Sequence, residues 1–226
     1  IPAAEEAYLF NKRDYELPET YFFDGEERNL QEGLEHFKTD GLIVLHNGDM
    51  LYENYWNGNS SESKHIAFSV SKSFLSALIG IAVGDGLIDS IEDPVTKYLP
   101  DFNGTGYEGV RIKDILQMSS GVKFNEDYAD PNSDINIFGR AVARGSSFRD
   151  FAKTLEREKT PGTYHHYVSI DTQVLGFLLA EVTAMSVQDY LYEKIWNKIG
   201  MEHGAYYITD NLGIEMALGG LNATLR

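Results

Sequence analysis

The stretch from Phe68 to Gly86 constrains this chain most, because it reads as one apolar helix with a serine and a lysine one turn apart at its head. Leu75, Leu78, Ile79, Ala82 and Val83 recur at three- and four-residue spacing, and Gly84 and Gly86 end the pattern. Its head spells Ser69-Val70-Ser71-Lys72. A helix start leaves backbone N–H groups unpaired and carries the positive end of the helix dipole, so Ser69 in the first turn sits where negative charge is favoured. Lys72, three residues on, lies about one turn along the same face and within reach of the Ser69 hydroxyl. An amine among apolar neighbours loses part of its preference for the charged form and can take the serine proton. Ser71 also precedes Lys72, but its spacing turns it elsewhere. Alone, the tetrapeptide is more often a helix cap beside a solvated charge.

A second stretch adds to it. Pro161-Gly162 marks a turn, a polar and aromatic loop runs from Thr163 to Ser169, and an amphipathic helix is expected from about Asp171 to Thr183. Tyr167 on that loop can point into a cleft, where a neighbouring ammonium would draw its phenol toward phenolate. His165 and His166 are adjacent in an extended segment and point apart, so loop polarity or cleft lining is expected of them rather than a metal site. His46, His65 and His203 are isolated and read as structural. Asp127, Asp130 and Asp134 are turn-formers whose spacing fits no calcium loop, and Ser119, Ser120 and Gly121 read as turn and helix-packing residues. No metal and no cofactor are expected. A further helix is predicted over Val187–Ile199, with Val187, Leu191, Ile195 and Ile199 on one face and Gly200 as its stop.

Ser-x-x-Lys followed far downstream by Tyr-x-Ser after a Pro-Gly turn resembles the serine β-lactamase and penicillin-binding-protein superfamily. The match is to its class C-like branch, which holds esterases, D-amino-acid peptidases and 6-aminohexanoate-dimer hydrolases. Gly41–Glu53 is similar to the first β-hairpin of that family, with Asn47-Gly48 as its turn. Gly86–Asp89, Asp93–Val95 and Tyr98–Pro100 resemble the segment after the nucleophile helix. Ile112–Val122 resembles its "LLxHTSG" segment, and Ile195–Met201 its "PLGM" segment.

The resemblance implies an α+β fold, an antiparallel sheet flanked by helices with a helical domain beside it. The expected division is an arm over residues 1–40, containing a helix near Leu30–Phe37, then the first part of the α/β domain with its nucleophile helix over 41–89. A helical roof over the site follows at 90–170, and helices returning to the sheet at 171–226. The hairpin at 41–57 is expected to give two strands of the central sheet, with the helix from Ser69 crossing it. The family's third motif, Lys-Thr-Gly or His-x-Gly on an edge strand, does not occur after Tyr167. The expectation is therefore of an incomplete fold, finished by a C-terminal fragment or a second chain, and of feeble activity without it.

The chemistry the resemblance implies is acyl transfer. Ser69 attacks an ester or amide carbonyl, Lys72 and Tyr167 share the proton work, and water releases the acid. The Ser69 N–H and a second donor on the edge strand would hold the oxyanion. Ser169 stands where many β-lactamases of this branch carry Asn, which disfavours β-lactams and favours small esters or linear amides. Tyr128 and Phe138 are expected to line the substrate cleft. The competing readings are a β-lactamase or D,D-peptidase, and a non-catalytic ligand-binding or sensor domain of the same fold.

A net charge of -16 disfavours nucleic acid and anionic membrane surfaces as partners. No apolar run reaches the length of a membrane span. The absence of cysteine excludes disulfides and thiolate metal sites. The chain opens at Ile1, and localisation is left open between the cytoplasm and a disulfide-free secreted or periplasmic setting.

Overall fold

The computed structural model describes all 226 residues. Residues 1–8 run along the segment 200–205, with the Ile1 amino group donating to the Ala205 carbonyl at 2.9 Å and Tyr8 N–H to the Gly200 carbonyl at 2.8 Å. The expected arm then carries more structure than its sequence announced. β1 (Asn11–Lys12) joins a later strand in parallel, and β2 (Thr20–Phe23) with β3 (Glu26–Asn29) forms an antiparallel hairpin. α1 (Leu30–His36) starts at Asn29, whose side chain accepts from Glu32 N–H at 3.0 Å.

β4 (Gly41–His46) and β5 (Asp49–Tyr55) form the hairpin expected at 41–57. Asn47 and Gly48 turn it with φ of 52° and 84°, the positive pair that matches strand twist in a two-residue turn. The sheet order is β1-β5-β4, so β1 makes it mixed rather than wholly antiparallel. Within β4 and β5 only Met50 is buried.

The core lies further along the chain. β6 (His65–Ile66) leads into α2 (Val70–Gly84); α3 (Ile112–Leu116), α4 (Asp134–Ala143) and α5 (Phe148–Lys153) follow. α6 (Ser169–Thr183) and α7 (Val187–Leu191) come next, then β7 (Tyr206–Tyr207) and β8 (Leu221–Ala223). β8 pairs antiparallel with both β6 and β7. One hydrophobic cluster joins α2, α3, α5, α6 and α7.

α6 is the centre of that cluster. It was expected to be amphipathic, yet every residue from Ser169 to Leu179 is buried, because α2, α3, α5 and α7 pack around it. Its polar members are carried inward with partners. Gln173 donates to the Glu215 carbonyl at 2.8 Å and accepts from Leu218 N–H at 3.4 Å. No single helix is long and apolar enough to cross a membrane.

Two other expectations change. α2 buries Leu75, Leu78, Ile79 and Ala82 and packs on α6 and α7, so helix-on-helix packing holds it rather than a crossing over the β4–β5 hairpin. The helix expected over 187–199 changes to a π turn at Tyr192–Trp196. The wider turn shifts the buried stripe, so Trp196 is the buried side chain and Ile199 lies exposed.

Two glycines dock the Tyr167 loop onto this core. Gly121 has φ of 75°, and a Cβ there would collide with the Lys159 carbonyl oxygen. Gly162, at φ 76°, sits against the Asp114 carboxylate and Arg111 guanidinium, 2.8 and 2.9 Å from where a Cβ would be. Those two side chains form a two-pronged pair at 2.9 and 2.7 Å. The Pro-Gly turn read from sequence is thus a close approach as well as a reversal.

Candidate active site

Ser69 heads α2 with φ of -66° and ψ of -9°, and its side chain makes no capping bond. The hydroxyl is therefore free for other partners, and the Ser69 N–H makes no hydrogen bond within the protein. Phe68 before it adopts φ of 43°, a left-handed conformation that costs a bulky side chain roughly 1–2 kcal/mol. β8 brackets the helix start: Ala67 N–H donates to the Leu221 carbonyl at 2.7 Å and Leu221 N–H to Ser71 Oγ at 3.3 Å. Ser71 thus faces β8, away from the neighbouring serine, as its spacing implied.

Lys72 Nζ lies 3.0 Å from Ser69 Oγ and 2.6 Å from the Leu218 carbonyl. The Tyr167 hydroxyl lies 3.0 Å from Ser69 Oγ, and the Lys72 Nζ stands 5.3 Å from the centre of the Tyr167 ring. One serine oxygen is therefore shared by an amine and a phenol. While both donate to it, neither can take its proton; attack requires one of them to become the acceptor instead.

The loop that carries Tyr167 is tied at both ends. His166 N–H donates to the Met118 carbonyl at 2.8 Å, and the His166 ring nitrogen Nε2 lies 2.9 Å from the Phe124 carbonyl. After Tyr167, Ser169 N–H and Oγ donate to the two Glu126 carboxylate oxygens at 2.9 and 2.5 Å. The Tyr128 hydroxyl donates to the same carboxylate at 3.0 Å. Desolvation of that hydroxyl, reinforced by the Glu126 bond and charge, pushes the Tyr128 phenol up to about 12.

Ser69 and Lys72 open onto a cavity of about 360 Å³ whose walls include Phe68, Tyr128, Ser169 and Gly219. Ser69, Lys72 and Tyr167 are thus brought within hydrogen-bonding distance of one another through Ser69, and Tyr128 and Ser169 stand at the same cavity. Phe138 does not. It is buried in α4 against Phe148 and Phe151, with ring centres 5.5 and 5.1 Å away, and corrects the expectation that it lines the cleft. Ile135, Phe138, Ala141 and Val142 repeat at helical spacing, a core stripe visible in the sequence.

Glu126 and the Leu218 carbonyl are the site groups the sequence did not single out. Glu126 sits inside a polar run whose aspartates make turns, as expected of them: Asp127 accepts from Ala129 N–H and Asp130 from Asn132 N–H, at 2.9 and 2.8 Å. Nothing local separates Glu126 from those neighbours. A backbone carbonyl leaves no signature in residue type at all.

The Beta-lactamase family profile matches residues 27–212, most of the chain. The chain belongs to the Beta-lactamase family. Within it, the 6-aminohexanoate-dimer hydrolase of Paenarthrobacter ureafaciens is 31% identical over 205 residues, covering 88% of this chain and 52% of that protein. A solved structure from Bacillus anthracis, named "putative 6-aminohexanoate-dimer hydrolase", superposes with a TM-score of 0.88 at 26% identity, covering 99% of this chain and 61% of that one. A class C β-lactamase in complex with cefoxitin shares the fold at a TM-score of 0.65 and 18% identity, covering 86% and 60%. The chain thus spans about half to three fifths of the length of these Beta-lactamase family relatives. The α+β fold and the serine β-lactamase and penicillin-binding-protein superfamily implied by the motifs both stand.

Proposed function

We propose that this chain carries the acylating half-site of a serine hydrolase that cleaves small ester or linear amide bonds. The observation that carries the reading is the Ser69 oxygen held at 3.0 Å from both Lys72 Nζ and the Tyr167 hydroxyl. Ser69 Oγ bonds to the substrate carbonyl carbon while its proton passes to the Lys72–Tyr167 pair. The oxyanion so formed faces the unbonded Ser69 N–H at the positive end of α2. Tyr167 returns a proton to the leaving alcohol or amine, and the carbonyl–leaving-group bond breaks. Water then repeats the sequence on the acyl-enzyme and frees the acid and Ser69.

The substrate class follows from Ser169. Its only hydroxyl proton is committed to Glu126, so it presents the cavity with an acceptor and no donor. The acylamino side chain of a β-lactam would find no amide donor there. The likeness to 6-aminohexanoate-dimer hydrolases points the same way, toward a linear amide. Hydrolysis of a chromogenic short-chain ester and of a linear aminohexanoate dimer, beside a chromogenic cephalosporin, tests the proposal. Turnover of the ester or dimer, absent in Ser69→Ala and at least about tenfold above the cephalosporin in kcat/KM, is expected; a tenfold preference corresponds to about 1.4 kcal/mol. Preference for the cephalosporin would replace this reading with a β-lactamase.

A further inference from the structure

The acyl-transfer reading uses Ser69, Lys72 and Tyr167 and leaves a charged group beside them without a part. Glu126 accepts three hydrogen bonds, all from neutral donors: Ser169 N–H, Ser169 Oγ and the Tyr128 hydroxyl. We propose that Glu126 is a positioning residue, whose carboxylate ties the start of α6 to the Tyr128 loop and so fixes where Tyr167 meets Ser69. The inference rests on the acyl-transfer reading above and deepens it.

Tyr167 is held from two directions. Upstream, the His166 backbone and ring engage the Met118 and Phe124 carbonyls. Downstream, Ser169 engages Glu126, so only Tyr167 and Val168 lie between the two anchors. Glu126 is itself set in place. Asn125 N–H donates to Asp134 at 2.6 Å and Asp127 N–H to the Asn125 side chain at 2.9 Å. The Asn136 amide then gathers the Tyr128 and Asp130 carbonyls at 3.1 and 2.8 Å. The Glu126 carboxylate is the link between this clamped loop and the helix that follows the phenol.

The charge form suits the place. A carboxylate offers about four acceptor positions and no donor, which matches three converging donors. Bonds to it are shorter and about twice as strong as neutral ones, and the first turn of α6 favours negative charge. An amide at position 126 would set an NH2 donor against those three donors, leaving at least one unpaired. A shift of about 1 Å in a reacting group is enough to cost roughly 10²-fold in rate.

The test compares wild type, Glu126→Gln, Ser169→Ala and Tyr128→Phe on a chromogenic ester. Melting temperature, fluorophosphonate labelling of Ser69 and phenol titration by absorbance are measured in parallel. Glu126→Gln is expected to lower kcat by roughly 10²-fold with KM little changed, and Ser169→Ala by a smaller factor. The phenol assigned by its loss in Tyr128→Phe should titrate near 12 in wild type and lower in Glu126→Gln, where the Glu126 bond and charge are gone and the desolvation stays. A purely structural role would lower the melting temperature and leave the kcat of the folded enzyme in place; the phenol titration reports only whether the Tyr128–Glu126 contact is present. Wild-type kcat in a folded Glu126→Gln, or in Ser169→Ala should Glu126→Gln not fold, overturns the positioning role alone. A folded wild type that never labels overturns the acyl-transfer reading and, with it, this one.

Discussion

Lys72→Met is expected to slow acylation of Ser69 by roughly 10²–10⁴-fold, the range a positioned base contributes. Methionine keeps an unbranched stem of similar length, so the change removes the amine and little else. It also removes the donor to the Leu218 carbonyl at 2.6 Å, which costs about 1–3 kcal/mol of stability if that oxygen is left dry. Rates are therefore compared at temperatures where both proteins are fully folded. Lys72→Arg separates two roles for the same side chain. Arginine keeps the charge and can donate to Ser69 Oγ, but it does not give up its proton in a protein. If Lys72 acts as a base, the Lys72→Arg variant should be as slow as the methionine variant. Activity retained in Lys72→Arg would instead make Tyr167 the base and Lys72 a fixed cation beside it.

The second large effect concerns stability. Asp171, in the first turn of α6, is fully buried; the Tyr107 hydroxyl donates to its Oδ1 at 2.9 Å, and its Oδ2 has no partner. Burial raises its carboxyl from 3.8 to about 7, and the Ser120 and Tyr107 hydroxyls only partly oppose that. Tyr107, buried beside it, is itself raised by burial and then by the Asp171 charge and hydrogen bond. Below pH about 4 both folded and unfolded chains carry Asp171 protonated, and the group imposes no penalty. Between pH about 4 and 7 the unfolded chain releases the proton while the folded chain keeps it, so stability falls as pH rises. Above about 7 both are ionised and the penalty levels off at roughly 4 kcal/mol. Asp171→Asn keeps the acceptor for Tyr107 and cannot ionise. The unfolding free energy of the variant minus that of wild type, from urea titrations, should therefore rise by about 4 kcal/mol from about pH 4 to about pH 7. A difference that stays flat across that window would mean Asp171 ionises normally in the folded protein.

The sequence was legible where chemistry is local. Ser69 and Lys72 are three residues apart on one helix, and the Pro161-Gly162 turn announces the Tyr167 loop, so spacing put them forward and the family resemblance joined them into one site. Asn47-Gly48 likewise named its hairpin. What escaped depends on tertiary packing. α6 looks amphipathic until helices close around all its faces, and the π turn moves the buried stripe from Ile199 to Trp196. Phe138 was expected at the cleft, but its own helical stripe points to the core. Glu126 meets Ser169 across 43 residues of chain, and Lys72 meets Leu218 through a backbone oxygen across 146. Neither leaves a pattern in residue type.

The central claim is that Ser69 is an activated nucleophile, and intact-mass spectrometry after treatment with a fluorophosphonate tests it most directly. The account predicts one adduct on the folded wild-type chain, none on Ser69→Ala, and slow labelling of Lys72→Met. A folded wild type that gains no adduct, or an adduct that persists in Ser69→Ala, would contradict it.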